Sequence, residues 1–298
     1  MLDVIIVGAG PAGLSAALIL GRSRRQVLVC DTGEHRNAAS HALHGFLSRD
    51  GIAPTELLRL GHEQLRPYTS VEVRNIQVVD ATHQADHFEV TALDSTRYTA
   101  RKLILATGII DELPGIEGFE TFYGQGVFHC PYCDGWERRD QPLAIYGAGK
   151  HGRKLALELR QWSQDLVLCT DGPAGLSPEE RARMERNKIK ICEERIARLE
   201  GKDGMLERIV FSNGETLACQ ALFFRSHERQ RSDLPTKLGC TFTKKGAVRT
   251  RENEATDIPG LYVVGDASRR VQLAIIAAAE GAAAAWAINN ALLKEELA

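Results

Sequence analysis

The residues best placed to do chemistry are Cys130-Pro131-Tyr132-Cys133-Asp134-Gly135-Trp136. Two cysteines separated by two residues can close a small disulfide ring or open to a dithiol. In a chain with βαβ patterning that spacing reads as a redox motif. Cysteine reacts as a thiolate, and this spacing lowers one thiol's pKa toward neutrality. Asp134 follows directly and offers a carboxyl that can move protons while sulfur moves electrons. The competing reading is half of a zinc site, which needs two more ligands at similar local spacing. None of Cys30, Cys169, Cys192, Cys219 and Cys240 forms a second such pair, so redox chemistry is favoured and no metal is expected.

A dithiol of this kind needs a source or sink of electrons, and the N-terminal pattern supplies a candidate. Residues 3–7 form a short apolar run read as a buried parallel strand. Gly8-Ala9-Gly10-Pro11-Ala12-Gly13 follows at once, and then a helical run. Strand, GxGxxG and helix in that order mark a dinucleotide site. The first glycine permits the tight turn, the second lets backbone approach a pyrophosphate, and the third lets helix and strand pack closely. A second strand, 26–30, ends at Asp31, close to the ~20-residue distance at which an acid meets the ribose hydroxyls. Arg22, Arg24 and Arg25 stand at the negative end of the helix and are expected to be a solvated cap. His35, His41 and His44 lie in a polar stretch, 32–50, without metal-like pairing.

The remaining chain alternates between the two periods. Residues 54–65 read as a helix and 71–99 as a β-meander. Ala106-Thr107-Gly108 ends another buried strand in small residues that a ligand could approach. Past the cysteines the opening plan recurs, with Gly147-Ala148-Gly149-Lys150-His151-Gly152 between strand and helix and with Asp171 ending the next strand. Lys150 and His151 are bulky for a phosphate-binding turn, so nucleotide binding at Gly147, Gly149, Gly152 and Asp171 stays open. Ser177-Pro178-Glu179-Glu180 is a helix start. A long alanine-rich helix over 271–293 closes the chain, with Ala277 to Ala285 as packing surface.

At 298 residues the chain is long enough for about two domains. A net charge of −2 gives no electrostatic reason to expect nucleic acid or an anionic membrane. No apolar run is expected to span a bilayer, and no signal peptide precedes the first strand. Seven cysteines, mostly scattered, suit a reducing compartment, so a cytoplasmic protein is expected.

Taken in order, the first GxGxxG, Ala106-Thr107-Gly108, Cys130 to Gly135, the second GxGxxG and Gly260 to Asp266 resemble the low-molecular-weight thioredoxin reductase family. The resemblance implies an α/β fold of two Rossmann-like three-layer domains, the second inserted in the first. Residues 1–113 with 246–298 would bind FAD, and 114–245 would form the central domain with the cysteines. It implies Cys133 as the thiol nearest the flavin, Cys130 as the thiol exchanging with substrate, and Asp134 as acid/base. Gly265 and Asp266 would touch the phosphate and ribitol. Gln272, Leu273 and Ala274 would begin the last helix, beside the flavin. A homodimer acting on a thioredoxin or a small-molecule dithiol is also implied.

Three departures qualify the resemblance, and in one of them the paired glutamates of the helix after the second turn fall on Lys154 and Leu155. Where the family carries a His-Arg-Arg run for the 2′-phosphate of NADPH, this chain has Thr170-Asp171-Gly172. A carboxylate at 171 repels that phosphate, which disfavours NADPH and leaves NADH or NADPH open. Cys-Pro-Tyr-Cys also replaces the usual Cys-Ala-Thr-Cys. Three functions follow: a reductase fed by a pyridine nucleotide, a dithiol oxidase passing substrate electrons to oxygen without NAD(P)H, and a non-catalytic flavin redox sensor.

Overall fold

A computed structural model describes residues 1–269 and 271–298. They form two compact units, one from residues 1–38, 46–110 and 228–298, the other from 39–45 and 111–227.

The first unit is built on a seven-stranded sheet. β1 (Leu2–Val7) pairs in parallel with β2 (Val27–Asp31) and with β6 (Arg97–Leu105), and β2 pairs in parallel with β3 (Val71–Asn75). β4 (Val78–His83) and β5 (Phe88–Ala92) run antiparallel beside the first half of β6. The strand Leu261–Val263 takes over along its second half, from Leu103 to Leu105. The run expected as one meander is therefore split. β3 is a parallel edge strand, and only β4, β5 and β6 form the antiparallel ribbon.

β1 is apolar from Val4 to Val7 because both of its faces are covered there. Val4 and Ile6 pack with Leu14, Ala17 and Leu20 of α1 (Pro11–Arg22) and with Ala284 and Ile288 of the last helix, Ala274–Leu297. Ile5 and Val7 face Ala81, Phe88 and Val90 on the other side. α2 (Pro54–Leu65) lies beside α1, where Gly61 leaves room for Leu14.

The last helix spans Ala274–Leu297, not 271–293, and by length and composition it could cross a membrane, although Glu280 interrupts its apolar run. Its small-residue face is spent on α1, since a Cβ at Gly281 would stand 1.9 Å from the Ala12 carbonyl oxygen. Arg25 is also no solvated cap. It is 8% exposed and bonds Asn289 at 2.8 Å and Glu296 at 2.6 Å, tying the start of β2 to the end of the last helix.

The second unit repeats the plan with a five-stranded parallel sheet in the order Ile189–Cys192, Leu166–Cys169, Leu143–Tyr146, Ala221–Phe224, Val127–Phe128. The helix Gly149–Leu159 covers one face through Leu155, Ala156 and Leu159. On the other face Leu199, Ile209 and Phe211 join Phe224 in the core, from the antiparallel sheet of Ile196–Lys202, Met205–Phe211 and Thr216–Ala218. Pro178–Arg186 starts with the expected capping box, Ser177 accepting from the Glu180 amide and Glu180 from the Ser177 amide.

The chain crosses between units near 110 and 227, not at 113 and 245. Residues 228–245 belong to the first unit because Leu234 is fully buried in its core, with Leu238, Cys240 and Phe242 packed against it. Residues 39–45 cluster with the second unit, where Gly124 packs directly on Ala39.

Candidate active site

In the first unit, chain reversals at the ends of β1, β2, β6 and Leu261–Val263 gather the predicted dinucleotide residues. Gly8 has φ +103°, and a Cβ there would stand 2.4 Å from the Ala106 carbonyl oxygen. A Cβ at Gly13 would meet the Gly8 carbonyl oxygen at 1.9 Å. Gly10 differs: a Cβ there would meet nothing within 4 Å. Pro11 opens α1 and Ala12 lies against Gly265, whose own Cβ would be 3.2 Å from that of Ala12. Asp31 accepts from the Ala9 amide at 2.9 Å and the Gly33 amide at 3.0 Å, so it braces the turn as well as offering its remaining lone pairs. The Thr107 hydroxyl is buried without a hydrogen-bond partner, and Gly108 has φ +65°. An open cradle at Gly10, a helix N-terminus and an orphaned hydroxyl fit the pyrophosphate and polar edge of FAD.

Sequence reasoning missed the residues that hold this arrangement. Arg36 donates to Asp266 at 3.0 Å and to Gln272 at 2.7 Å, and Gln272 in turn donates to Glu228 at 2.9 Å. Glu280, buried in the last helix, accepts from the Gly265 amide at 2.8 Å and from Arg269 at 2.7 Å. Arg269 also pairs with buried Glu254. Burial, then Glu254, pushes the Glu280 carboxyl up, against the pull of the Gly265 amide and Arg269. An acid amid alanines was the one visible signal for Glu280; nothing singled out Arg36 in its polar loop. The helix begins at Ala274, with Leu273 as N-cap and Gln272 ahead of it, so Gln272 contributes a side chain and not a helix-end amide.

In the second unit Cys130 and Cys133 form a disulfide, with Cα atoms 5.3 Å apart. The single turn Pro131–Asp134 sets that distance, and the Cys133 and Asp134 amides donate to the Cys130 carbonyl at 3.1 and 3.2 Å. Trp162 supports the turn: a Cβ at Gly135 would meet its ring at 3.0 Å. Tyr132 and Trp136 remain 69% and 65% exposed. Burial, reinforced by Glu137 and opposed by Arg138, pushes Asp134 up to about 7. It can therefore give or take a proton near neutrality. Nearby, Tyr123 Oη lies 3.1 Å from Asp111 and 3.0 Å from His129 Nδ1. Burial pushes the Cys30 and Cys219 thiols up to about 12, which leaves them poor nucleophiles.

The second glycine turn shares only part of this geometry. A Cβ at Gly152 would meet the Gly147 carbonyl oxygen at 2.1 Å, as Gly13 meets Gly8. The Gly149 amide, however, already donates to the Ala174 carbonyl at 2.8 Å. Asp171 accepts from the Ile196 amide at 2.7 Å, which makes it a brace for the antiparallel sheet. Lys150, His151 and Lys154 are exposed, while Leu155 is core. Among the described residues no group of three or more His, Cys, Asp or Glu is placed to hold a metal ion.

Residues 2–281 match the pyridine nucleotide-disulphide oxidoreductase family. A probable thioredoxin reductase of Arthroderma benhamiae is 30% identical over 298 residues, covering 89% of this chain and 74% of that protein. Among solved structures, a putative thioredoxin reductase TrxB from Bacillus anthracis superposes with a TM-score of 0.94 at 34% identity, over 99% of this chain and 100% of that one. HlmI superposes equally well, at 35% identity over 99% and 94%. The chain belongs to the pyridine nucleotide-disulphide oxidoreductase family and is a thioredoxin-reductase-like flavin disulfide oxidoreductase.

Proposed function

We propose that the protein exchanges two electrons between FAD and the Cys130–Cys133 pair, and onward with a thiol or disulfide substrate. The observation that carries this reading is the disulfide beside an aspartate poised near neutral pH. Gly8, Gly10, Pro11, Ala12, Gly13 and Asp31 would hold the diphosphate and ribose. Ala106, Thr107, Gly108, Gly265, Asp266, Gln272, Leu273 and Ala274 would line the flavin half. Bound FAD supplies the two-electron donor or acceptor for the pair.

In the reducing direction, the Cys130 thiolate attacks a substrate disulfide and releases one substrate thiol. Cys133 then attacks Cys130 of the mixed disulfide, freeing the second thiol and restoring the Cys130–Cys133 bond. Asp134 gives and takes the protons. A thioredoxin or a small-molecule dithiol/disulfide pair are the substrate candidates. The bond between the Gly149 amide and Ala174 favours a second reading, in which a substrate dithiol reduces the pair. It leaves as a disulfide, and its two electrons and two protons convert oxygen to hydrogen peroxide.

Anaerobic flavin bleaching by dithiols, NADH and NADPH tests both readings. Bleaching by a dithiol that requires both cysteines supports the shared chemistry. Its persistence in a Cys130→Ser, Cys133→Ser double variant refutes it. A reducing, cytoplasmic location and a homodimer belong to the same proposal. The exposed Trp286, Leu293 and Leu297 on the last helix support the dimer, and light scattering reads it.

A further inference from the structure

We infer that the second Rossmann turn, Gly147 to Gly152, takes no NADH or NADPH because the chain's own segment 172–176 stands in the pyrophosphate position. The family binds both FAD and a pyridine nucleotide, and this chain carries a second GxGxxG in the right context. The residues around that turn nonetheless do not fit the ligand.

The first unit shows what an open turn looks like in this same protein. Gly10 has φ −68°, α1 begins one residue later, and no described residue bonds the Gly10 amide or lies within 4 Å of where its Cβ would be. At the matching place Gly149 has φ +56°, and its amide points at the Ala174 carbonyl, 2.8 Å away. Gly175 follows, also left-handed at φ +61°, and packs on the turn at ordinary van der Waals distance: a Cβ on Gly149 would meet its carbonyl oxygen at 4.0 Å, so the hydrogen bond to Ala174, not crowding, separates this turn from the first. A dinucleotide diphosphate binds by accepting hydrogen bonds from amides at a helix start. Here a carbonyl oxygen has already taken the central amide, and any diphosphate would have to displace backbone.

That backbone is anchored on every side. Thr170 Oγ1 donates to the Gly172 carbonyl at 2.6 Å. Asp171 is held by the Ile196 amide at 2.7 Å. The Ala174 amide donates to Glu193 at 2.7 Å, and Glu193 is paired with Arg181 at 2.5 Å. Ala174 is fully buried, and the capping box at Ser177 fixes the chain immediately after it. Three of these anchors come from side chains whose types are unremarkable in the sequence. Lys150 and His151 give the turn exposed cationic character at its rim, so a weak, salt-sensitive attraction for any polyphosphate is compatible with a closed turn.

This inference concerns binding alone, so it stands or falls apart from the thiol chemistry above, which dithiol-driven bleaching reads independently. The experiment is isothermal titration of NADH and NADPH into the FAD-loaded protein, with hydrogen exchange of the same samples. No saturable heat is expected at nucleotide concentrations up to ~1 mM, where ordinary cofactor affinities would be unmistakable. The Gly149 amide should exchange slowly, at a rate unchanged by nucleotide. Saturable micromolar binding, or nucleotide-dependent protection confined to 147–152 and 172–176, overturns the inference. Glu193→Ala and Arg181→Ala loosen the strap from outside the turn. Faster exchange at Gly149 together with a gain in nucleotide affinity of ~10-fold or more supports the strap as the cause. Faster exchange with no gain overturns that cause. If Glu193→Ala loses the fold, Arg181→Ala carries the comparison, because it removes only the partner of Glu193.

Discussion

Replacing Asp134 by asparagine tests the acid/base assignment through stability as well as turnover. Burial and Glu137 carry this carboxyl from 3.8 to about 7, over the opposing pull of Arg138. At 1.36 kcal/mol per tenfold change in proton affinity, the ionised form is disfavoured in the fold by on the order of 4 kcal/mol. The sign follows from proton counts in the two states. Below pH 4 the carboxyl is protonated in both folded and unfolded chains, and aspartate and asparagine should differ little. Between pH 4 and 7 the unfolded chain has lost the proton and the folded protein keeps it, so wild-type stability falls as pH rises. Above pH 7 both forms are ionised and the loss levels off. The Asp134→Asn variant has no proton to lose at this position, so its advantage should grow between pH 4 and 7 to at most ~4 kcal/mol, then plateau. Urea unfolding of the oxidised protein from pH 4.5 to 8.5 measures it. Fluorescence of Trp136 and Trp162 in a Trp286→Phe background reports the second unit. The same variant should slow proton-coupled thiol exchange by ~10²–10⁴-fold with FAD still bound. A stability difference independent of pH would show that Asp134 is ionised normally and that its role has been misassigned.

Cys130→Ser should keep Cys133 competent toward flavin, visible as a thiolate charge-transfer band, while exchange with substrate stops. Cys133→Ser should abolish the band, and wild-type turnover in either variant would contradict the division of labour. Gly10→Val has room for its side chain in the protein itself, so the apoprotein should fold with near-normal secondary structure yet bind FAD poorly, read by flavin content after gel filtration. Gly281→Ala must push the last helix off the Ala12 carbonyl. It should cost ~1–3 kcal/mol and lower the melting temperature by a few degrees, with flavin chemistry otherwise intact.

The two Rossmann turns, the Cys130–Cys133 disulfide pair and the order of domains could be read directly from the chain. Each depends on local backbone requirements that only certain residue types meet. Gly8 and Gly13 are needed because two backbones come within van der Waals contact, and Cys-x-x-Cys is the spacing one helical turn closes. Boundaries and strand partners could not be read in the same way. β3 alternates like its neighbours, and only its parallel partner β2 shows that it is no part of the meander. The stretch 228–245 is charged enough to resemble a linker, yet buried Leu234 commits it to the first unit. Arg36 and Glu280 became site residues through bonds to partners 230 and 15 positions away, respectively. The sharpest case is the pair of GxGxxG turns, nearly alike in sequence. One leaves the Gly10 amide without a partner among the described residues and the other engages the Gly149 amide, and the difference lies in a downstream loop around Ala174, held by Glu193, Thr170 and Asp171. A motif specifies the conformations its own backbone can adopt; which chain comes to rest against it is decided by tertiary packing.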